Sequence, residues 1–301
     1  MTIAPARIRH ADGCDCHACH GHQLIAATPV SELEIEQSGR LDPTGTTQLQ
    51  RDLGRFLRGR INELNADLRE RIVEDDVFGL GNSEAEWGGP REAQLLRLDA
   101  WLDDAAERDV HRRVDSDEVR SYLEQAAKSG IIDGHTDLRE FDVPTDDVED
   151  VLEQDAVQKE IDDVHENVRD RVGTAVEDYR SDVRSLISAG LIAGIARRQL
   201  GKDITERARV YDSHVTAQAS GEVVNQYNTT KLTSYDRVDA DIELETEPEW
   251  VDAGDEKVCP ICQELSAQDW TLEEAQEFNI PGDTHDNCRC TWHVTDVAEV
   301  F

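Results

Sequence analysis

Seven cysteines stand in two groups, three from Cys14 to Cys19 and four from Cys259 to Cys290. The second group reads Cys259-Pro-Ile-Cys262 and, after a spacer, His285-Asp-Asn-Cys288-Arg-Cys290. A Cys-x2-Cys turn sets two thiolates on one side of a tight loop, which suits two corners of a tetrahedron with Zn–S bonds of about 2.3 Å. The second half-site offers three donors for the other two corners. Cys259, Cys262 and His285 take three places, and one of Cys288 and Cys290 takes the fourth. Spacing does not decide between those two. The pattern points to a structural Zn2+, not a disulfide framework, which would spread its cysteines through a small secreted domain. Cys14, Cys16, Cys19 and His22, interleaved with His17 and His20, offer a second donor set near the N-terminus. It suits a second zinc that ties down an arm.

A catalytic zinc keeps an open position and a nearby acid or base. Zinc deaminases use His-x-Glu ahead of Pro-Cys-x-x-Cys. Here the order is Cys-Pro-Ile-Cys, and His165-Glu166 is adjacent rather than spaced. A zinc nuclease needs a further histidine pair, and His293 alone does not supply it. The expectation is therefore no enzyme, no catalytic residues and no organic cofactor. A zinc-dependent nuclease or deaminase and a cellular zinc-ribbon adaptor stand as the alternatives.

The two half-sites must be brought together by what lies around them. Thr271 and Glu274 have the spacing of a capping box for a short helix, and Ile280-Pro281-Gly282 turns the chain back. Ahead of Cys259, residues 239–250 alternate as a strand does and lead into Asp252-Ala-Gly-Asp255. Further upstream the period is helical. Leu49, Leu53, Phe56, Leu57, Ile61, Leu64, Leu68 and Ile72 share one face. A second helix is expected over 92–108, and a third is expected to open on the pair Asp115 and Glu118 and to end at Gly130.

Val157, Ile161, Val164, Val168, Val172, Val176, Tyr179 and Val183 are spaced by three and four. This predicts a long amphipathic helix from about 150 to 188, closed by Gly190 and Gly194, with a narrow valine stripe that needs a partner surface. A further helix covers 204–227. The fold class expected is mainly α, with long amphipathic helices and a small α+β zinc-stapled module at the C-terminus. The domains are an extended arm, 1–46; a helical domain, 47–235; and the zinc module, 236–301.

Acidic residues number 66 and basic residues 31, a net charge of −35. A surface this negative repels phosphate backbones, which disfavours direct binding of nucleic acid. No apolar run is long enough to cross a membrane, and no signal peptide is evident at the N-terminus. Only 5 of the 31 basic residues are lysine. Excess acid with scarce lysine is the composition of a chain adapted to multimolar salt, where the Debye length falls to about 3 Å.

Residues Trp250-Val-Asp-Ala-Gly-Asp-Glu-Lys-Val-Cys-Pro-Ile-Cys262 and Pro281-Gly-Asp-Thr-His-Asp-Asn-Cys-Arg-Cys290 resemble the end of the phage head-morphogenesis family, the minor capsid proteins of the Mu F type. The likeness covers 200–301 best. Ser266-Ala267 stand where that family has a glycine, and Arg209-Val-Tyr-Asp212 where it has Arg-Thr-Glu. The resemblance implies a minor head component that meets the portal protein and other capsid components, as an oligomer around the portal. It implies a place in the virion, at the head interior or portal region, after assembly in the host cytoplasm. Joined to the composition, it implies a tailed virus of a halophilic archaeon.

Overall fold

A computed structural model describes residues 42–76, 90–242, 244–278, 280 and 282–299. Helix accounts for 73 % of it, and the one sheet among the described residues has two strands near the C-terminus. The mainly helical expectation therefore holds, with the α+β part confined to the last 60 residues or so. The chain divides into two compact units. Among the described residues, one draws on 42–51, 121–164 and the chain from 220 onward, the other on 52–76, 90–120 and 165–219.

In the second unit, helix α1 (Thr47–Val73) buries Leu53, Leu57, Ile61, Leu64, Leu68 and Ile72, the face that the spacing marks out. Helix α2 (Pro90–Ala106) buries Leu98, Leu102 and Ala105, then passes through a π-helical turn, Glu107–His111, into a last α-helical turn, α3 (Arg112–Val114). The expected pairing of Asp115 with Glu118 does not form. Asp115 instead closes α3 as its C-cap, and α4 (Asp117–Arg139) begins beyond it with Asp117 and Glu118 in its first turn. Acids there favour the helix because they face the positive end of its dipole.

Helix α4 also runs past Gly130, where the sequence suggests an end. A side chain at Gly130 would drive into the Tyr227 carbonyl and the Thr230 hydroxyl, and one at Gly134 would press on Ser234. These glycines serve close helix packing within the first unit, not termination.

A short helix α5 (Val148–Leu152), capped by Asp147 onto the Glu149 N–H, precedes α6 (Asp155–Ala193). All eight stripe residues from Val157 to Val183 are buried, so the chain itself covers the stripe. Gly194 closes α6 at φ +65°, and the Ile195 N–H donates to the Gly190 carbonyl at 2.8 Å, the six-to-one bond of a Schellman cap. Gly190 has a packing role as well, for Leu200 lies against its missing side chain.

Helix α7 (Arg197–Ile242) extends well beyond both ends of the expected 204–227. Its apolar stripe fades after Val224, yet the helix continues because side chains of many kinds are buried along it. Glu222, Asn225, Gln226, Asn228, Thr230, Lys231 and Ser234 are all under a tenth exposed.

Strands β1 (Leu244–Val251) and β2 (Thr291–Glu299) pair antiparallel, from Leu244↔Glu299 to Val251↔Thr291. The register shifts between Glu247 and Pro248, where Thr295 is the extra residue on β2. A proline has no N–H for the ladder, so a bulge is the natural accommodation. The Thr295 hydroxyl donates to the Glu247 carbonyl there. Along β1, Thr246, Pro248 and Trp250 are buried while Glu245, Glu247 and Glu249 are exposed, the alternation of a strand with one covered face.

Candidate metal centre

The last pair of the ladder, Val251↔Thr291, explains how the two half-sites meet. Strand β1 runs out into the first cysteine pair, and β2 begins directly after Cys290. The excursion between them holds α8 (Pro260–Leu265) and α9 (Leu272–Gln276). Cys259 is the N-cap of α8. Its sulfur accepts the Cys262 N–H at 3.4 Å, and Pro260 occupies the first helical position, where its missing N–H costs nothing. The capping box forms as its spacing predicts. The Thr271 hydroxyl accepts the Glu274 N–H at 3.2 Å, and the Glu274 carboxylate accepts the Thr271 N–H at 3.1 Å.

The structure gathers the five C-terminal candidates into two overlapping triads. Cys259, Cys262 and His285 form one, and Cys262, Cys288 and Cys290 the other, with donor atoms within 4.8 Å of one another in each. Cys262 is the shared corner. Its Sγ lies 3.8 Å from His285 Nε2 and 3.8 Å from Cys288 Sγ. In a tetrahedron with bonds of about 2.3 Å the S···S edge is also roughly 3.8 Å. The four cysteines are free thiols, and Cys262, Cys288 and Cys290 are buried. This donor set could hold a metal ion. Cys14, Cys16, Cys19 and His22 lie outside the described residues.

The protonation of these thiols is frustrated. The hydrogen bond with Cys262 pulls Cys259 down to about 4 against burial, with His285 adding to the effect. The same neighbour, then Cys290, holds Cys288 well below the usual thiol range. Cys262 is pushed the other way, first by its bond to Cys259. For Cys290, the bond with Cys262 lowers it, but Cys288 and burial outweigh that and push it up to about 12. Neighbouring sulfurs in the cluster are thus pushed in opposite directions. A divalent cation among them would satisfy all as thiolates.

Three supports around the cluster are not visible in the spacing. Arg289, between two of the cysteines, forks onto Asp255 at 2.8 and 2.9 Å, and this hydrogen bonding holds Asp255 below the usual carboxylate range. Asp252 accepts the Gly254 N–H at 2.7 Å, with Gly254 at φ +67°, which shapes the turn that presents Asp255. The sequence shows the Gly-Asp turn and the arginine, but not that they grip each other. From α7, Asn228 donates to the Cys290 carbonyl at 3.2 Å and accepts the Trp292 N–H at 3.1 Å. Nothing in the pattern singles out that asparagine. Below the cluster, Trp250, Trp270, Phe278 and Trp292 pack mostly edge to face with centroids 4.9–5.8 Å apart. Trp250 and Trp292 are the directly opposed pair of the ladder.

His293 is a strand residue, as its position beside Trp292 suggests. It turns away from the thiols and bonds Asp137, which also pairs with Lys231 at 2.8 Å and accepts the Tyr235 hydroxyl.

Residues 181–293 match the family model described as Phage Mu protein F like protein. The matched stretch takes in the end of α6, all of α7 and every one of the five clustered donors. It supports the resemblance to phage head-morphogenesis proteins. No curated protein and no solved structure matches the chain. No described helix is long and apolar enough to cross a membrane.

Proposed function

We propose that the chain is a minor capsid protein that works at the portal region during assembly of a tailed-virus head. In this reading its C-terminal module is stapled by one structural zinc on Cys259, Cys262, His285 and Cys288. The observation that carries it is the family match over 181–293, which spans the whole donor cluster. Cys288 is preferred to Cys290 as the fourth ligand because its sulfur lies at tetrahedral-edge distance from Cys262. Cys290 stands beside it as an outer thiol. A structural role is favoured over a catalytic one because thiol and imidazole donors suffice to close a tetrahedron, whereas a catalytic zinc keeps a position open. Cys14, Cys16, Cys19 and His22 are proposed to hold a second zinc on an N-terminal arm. The charge of −35 and the scarcity of lysine support an origin in a salt-loving host.

The test is metal stoichiometry in protein purified at high salt, for wild type and Cys262→Ser, followed by co-purification with portal protein. Two zincs falling to one supports both sites. One falling to none leaves the N-terminal cluster without metal. No zinc in wild type overturns the staple. Zinc at full occupancy with no recovery of portal or other capsid components overturns the assembly role while leaving the staple standing.

A further inference from the structure

A cavity of about 140 Å³ opens in the first unit, bounded by the start of α6, by α7 and by Gln276, Phe278 and Ile280. Glu160 lines it. One of its carboxylate oxygens accepts the Thr233 hydroxyl at 2.8 Å, and the other, Oε2, is buried with no hydrogen-bond partner among the described residues. The remaining polar lining is neutral, with the amides and hydroxyls of Asn225, Asn228, Thr229 and Gln276, and the apolar wall includes Phe278 and Trp292. The charged groups that act on Glu160 are Asp163, Asp236 and Lys159, and Lys159 is itself tied to Asp163.

A buried carboxylate oxygen with no donor is unfavourable unless a proton or a cation meets it. Burial, against the Thr233 hydrogen bond and with Asp163 and Asp236 adding to it, pushes Glu160 up to about 7, so both resolutions are within reach near neutrality. The lining favours a cation. Side-chain amide and hydroxyl oxygens accept hydrogen bonds, aromatic rings attract cations, and a chain of charge −35 concentrates cations and repels anions. One water needs roughly 10–15 Å³ of such space, so the cavity has room for a group of several heavy atoms.

We propose that this cavity binds a guanidinium or primary ammonium group, with Glu160 as its counter-ion. The group can belong to a free small amine or to an arginine or lysine side chain of a partner protein. The inference does not depend on the head-assembly reading.

Calorimetric titration with methylguanidinium, n-butylammonium and a capped peptide containing a single arginine tests it. Wild type is expected to bind saturably at pH 8 and about tenfold more weakly at pH 6, as Glu160 takes up its proton. Glu160→Gln keeps the shape and the Thr233 bond, and is expected to lose at least tenfold in affinity together with the pH dependence. Its circular dichroism and thermal midpoint check that it folds. Peptide binding tenfold tighter than methylguanidinium assigns the site to a partner's side chain, and equal affinity assigns it to a free cation. No saturable heat at pH 8, or undiminished binding by Glu160→Gln, overturns the proposal. Should that variant not fold, a wild-type affinity that is flat between pH 6 and 8 overturns it instead.

Discussion

Helices α6 and α7 are both long, and they are buried by opposite means. From Val157 to Val183, α6 presents one stripe of mostly valine and keeps its charges on the other faces. From Ser220 to Tyr235, α7 is buried on nearly every side, and half of what it buries is polar. Most of its polar side chains have specific partners, although both ends of the buried Gln226 amide have none among the described residues. Tyr227 donates to Asp133, Lys231 and Tyr235 to Asp137, and Asn228 bridges the arm that carries Cys290. An apolar stripe gains from area removed from water and accepts any well-shaped cover. A buried polar face has no such latitude, because a group that loses its partner carries the full cost of desolvation. The contrast implies that α6 is tolerant and α7 specific.

The sharpest way to break that contrast is at Asp137. Asp137→Ala leaves the Lys231 ammonium buried without its counter-ion, and is expected to cost about 3–5 kcal/mol in chemical denaturation. The double variant Asp137→Leu with Lys231→Met should cost far less than the two single changes summed. Additive costs would mean that the pair is not the unit described here. Asn228→Ala strands the Cys290 carbonyl and the Trp292 N–H together, a loss of about 2–6 kcal/mol at roughly 1–3 kcal/mol per group. If the proposed zinc is bound, its release to a chelator should also quicken.

On α6, Val176→Ala removes two buried methyl-sized groups and leaves a small cavity, for about 2 kcal/mol. A cost equal to that of Asn228→Ala would erase the distinction between the helices.

Glu160 yields the smallest effect and the one that depends on pH. Its carboxyl is raised from the ordinary 4.5 to about 7, chiefly by burial. A raised acid binds its proton more tightly in the folded state. Its stabilising contribution is therefore complete below the ordinary value and is lost as pH rises through 7. In amine-free buffer the stability of wild type relative to Glu160→Gln should fall between pH 4.5 and 7. With partial exposure and screening discounted, the fall is on the order of 1–2 kcal/mol. Parallel pH curves for the two proteins would show that Glu160 titrates normally.

Legibility in the sequence follows the same division. The stripes of α1 and α6 declare themselves by period, because a helix that buries one face must repeat its apolar residues. The Thr271–Glu274 box and the two cysteine half-sites are local chemistry at fixed offsets, and they too can be read directly. The course of α4 past Gly130 cannot, since the reason for that glycine lies in the Tyr227 carbonyl, 97 positions away in the chain. The length of α7, the Asp137 cluster and the Asn228 bridge are equally hidden. Their partners are set by tertiary contact, and hydrogen bonding between distant side chains has no period.

The ring cluster beneath the thiols has an optical consequence. Three of the five tryptophans, Trp250, Trp270 and Trp292, fall in that one cluster, at centroid separations near 5 Å. Indoles so close and so steeply tilted couple their transitions, so the near-ultraviolet dichroism and much of the intrinsic fluorescence should report on the C-terminal module. The far-ultraviolet signal comes mostly from the long helices, to which α8 and α9 add 6 and 5 residues. The molecule thus carries two nearly independent spectroscopic channels, one for the C-terminal module and one for the helical body, and needs no added label to separate them.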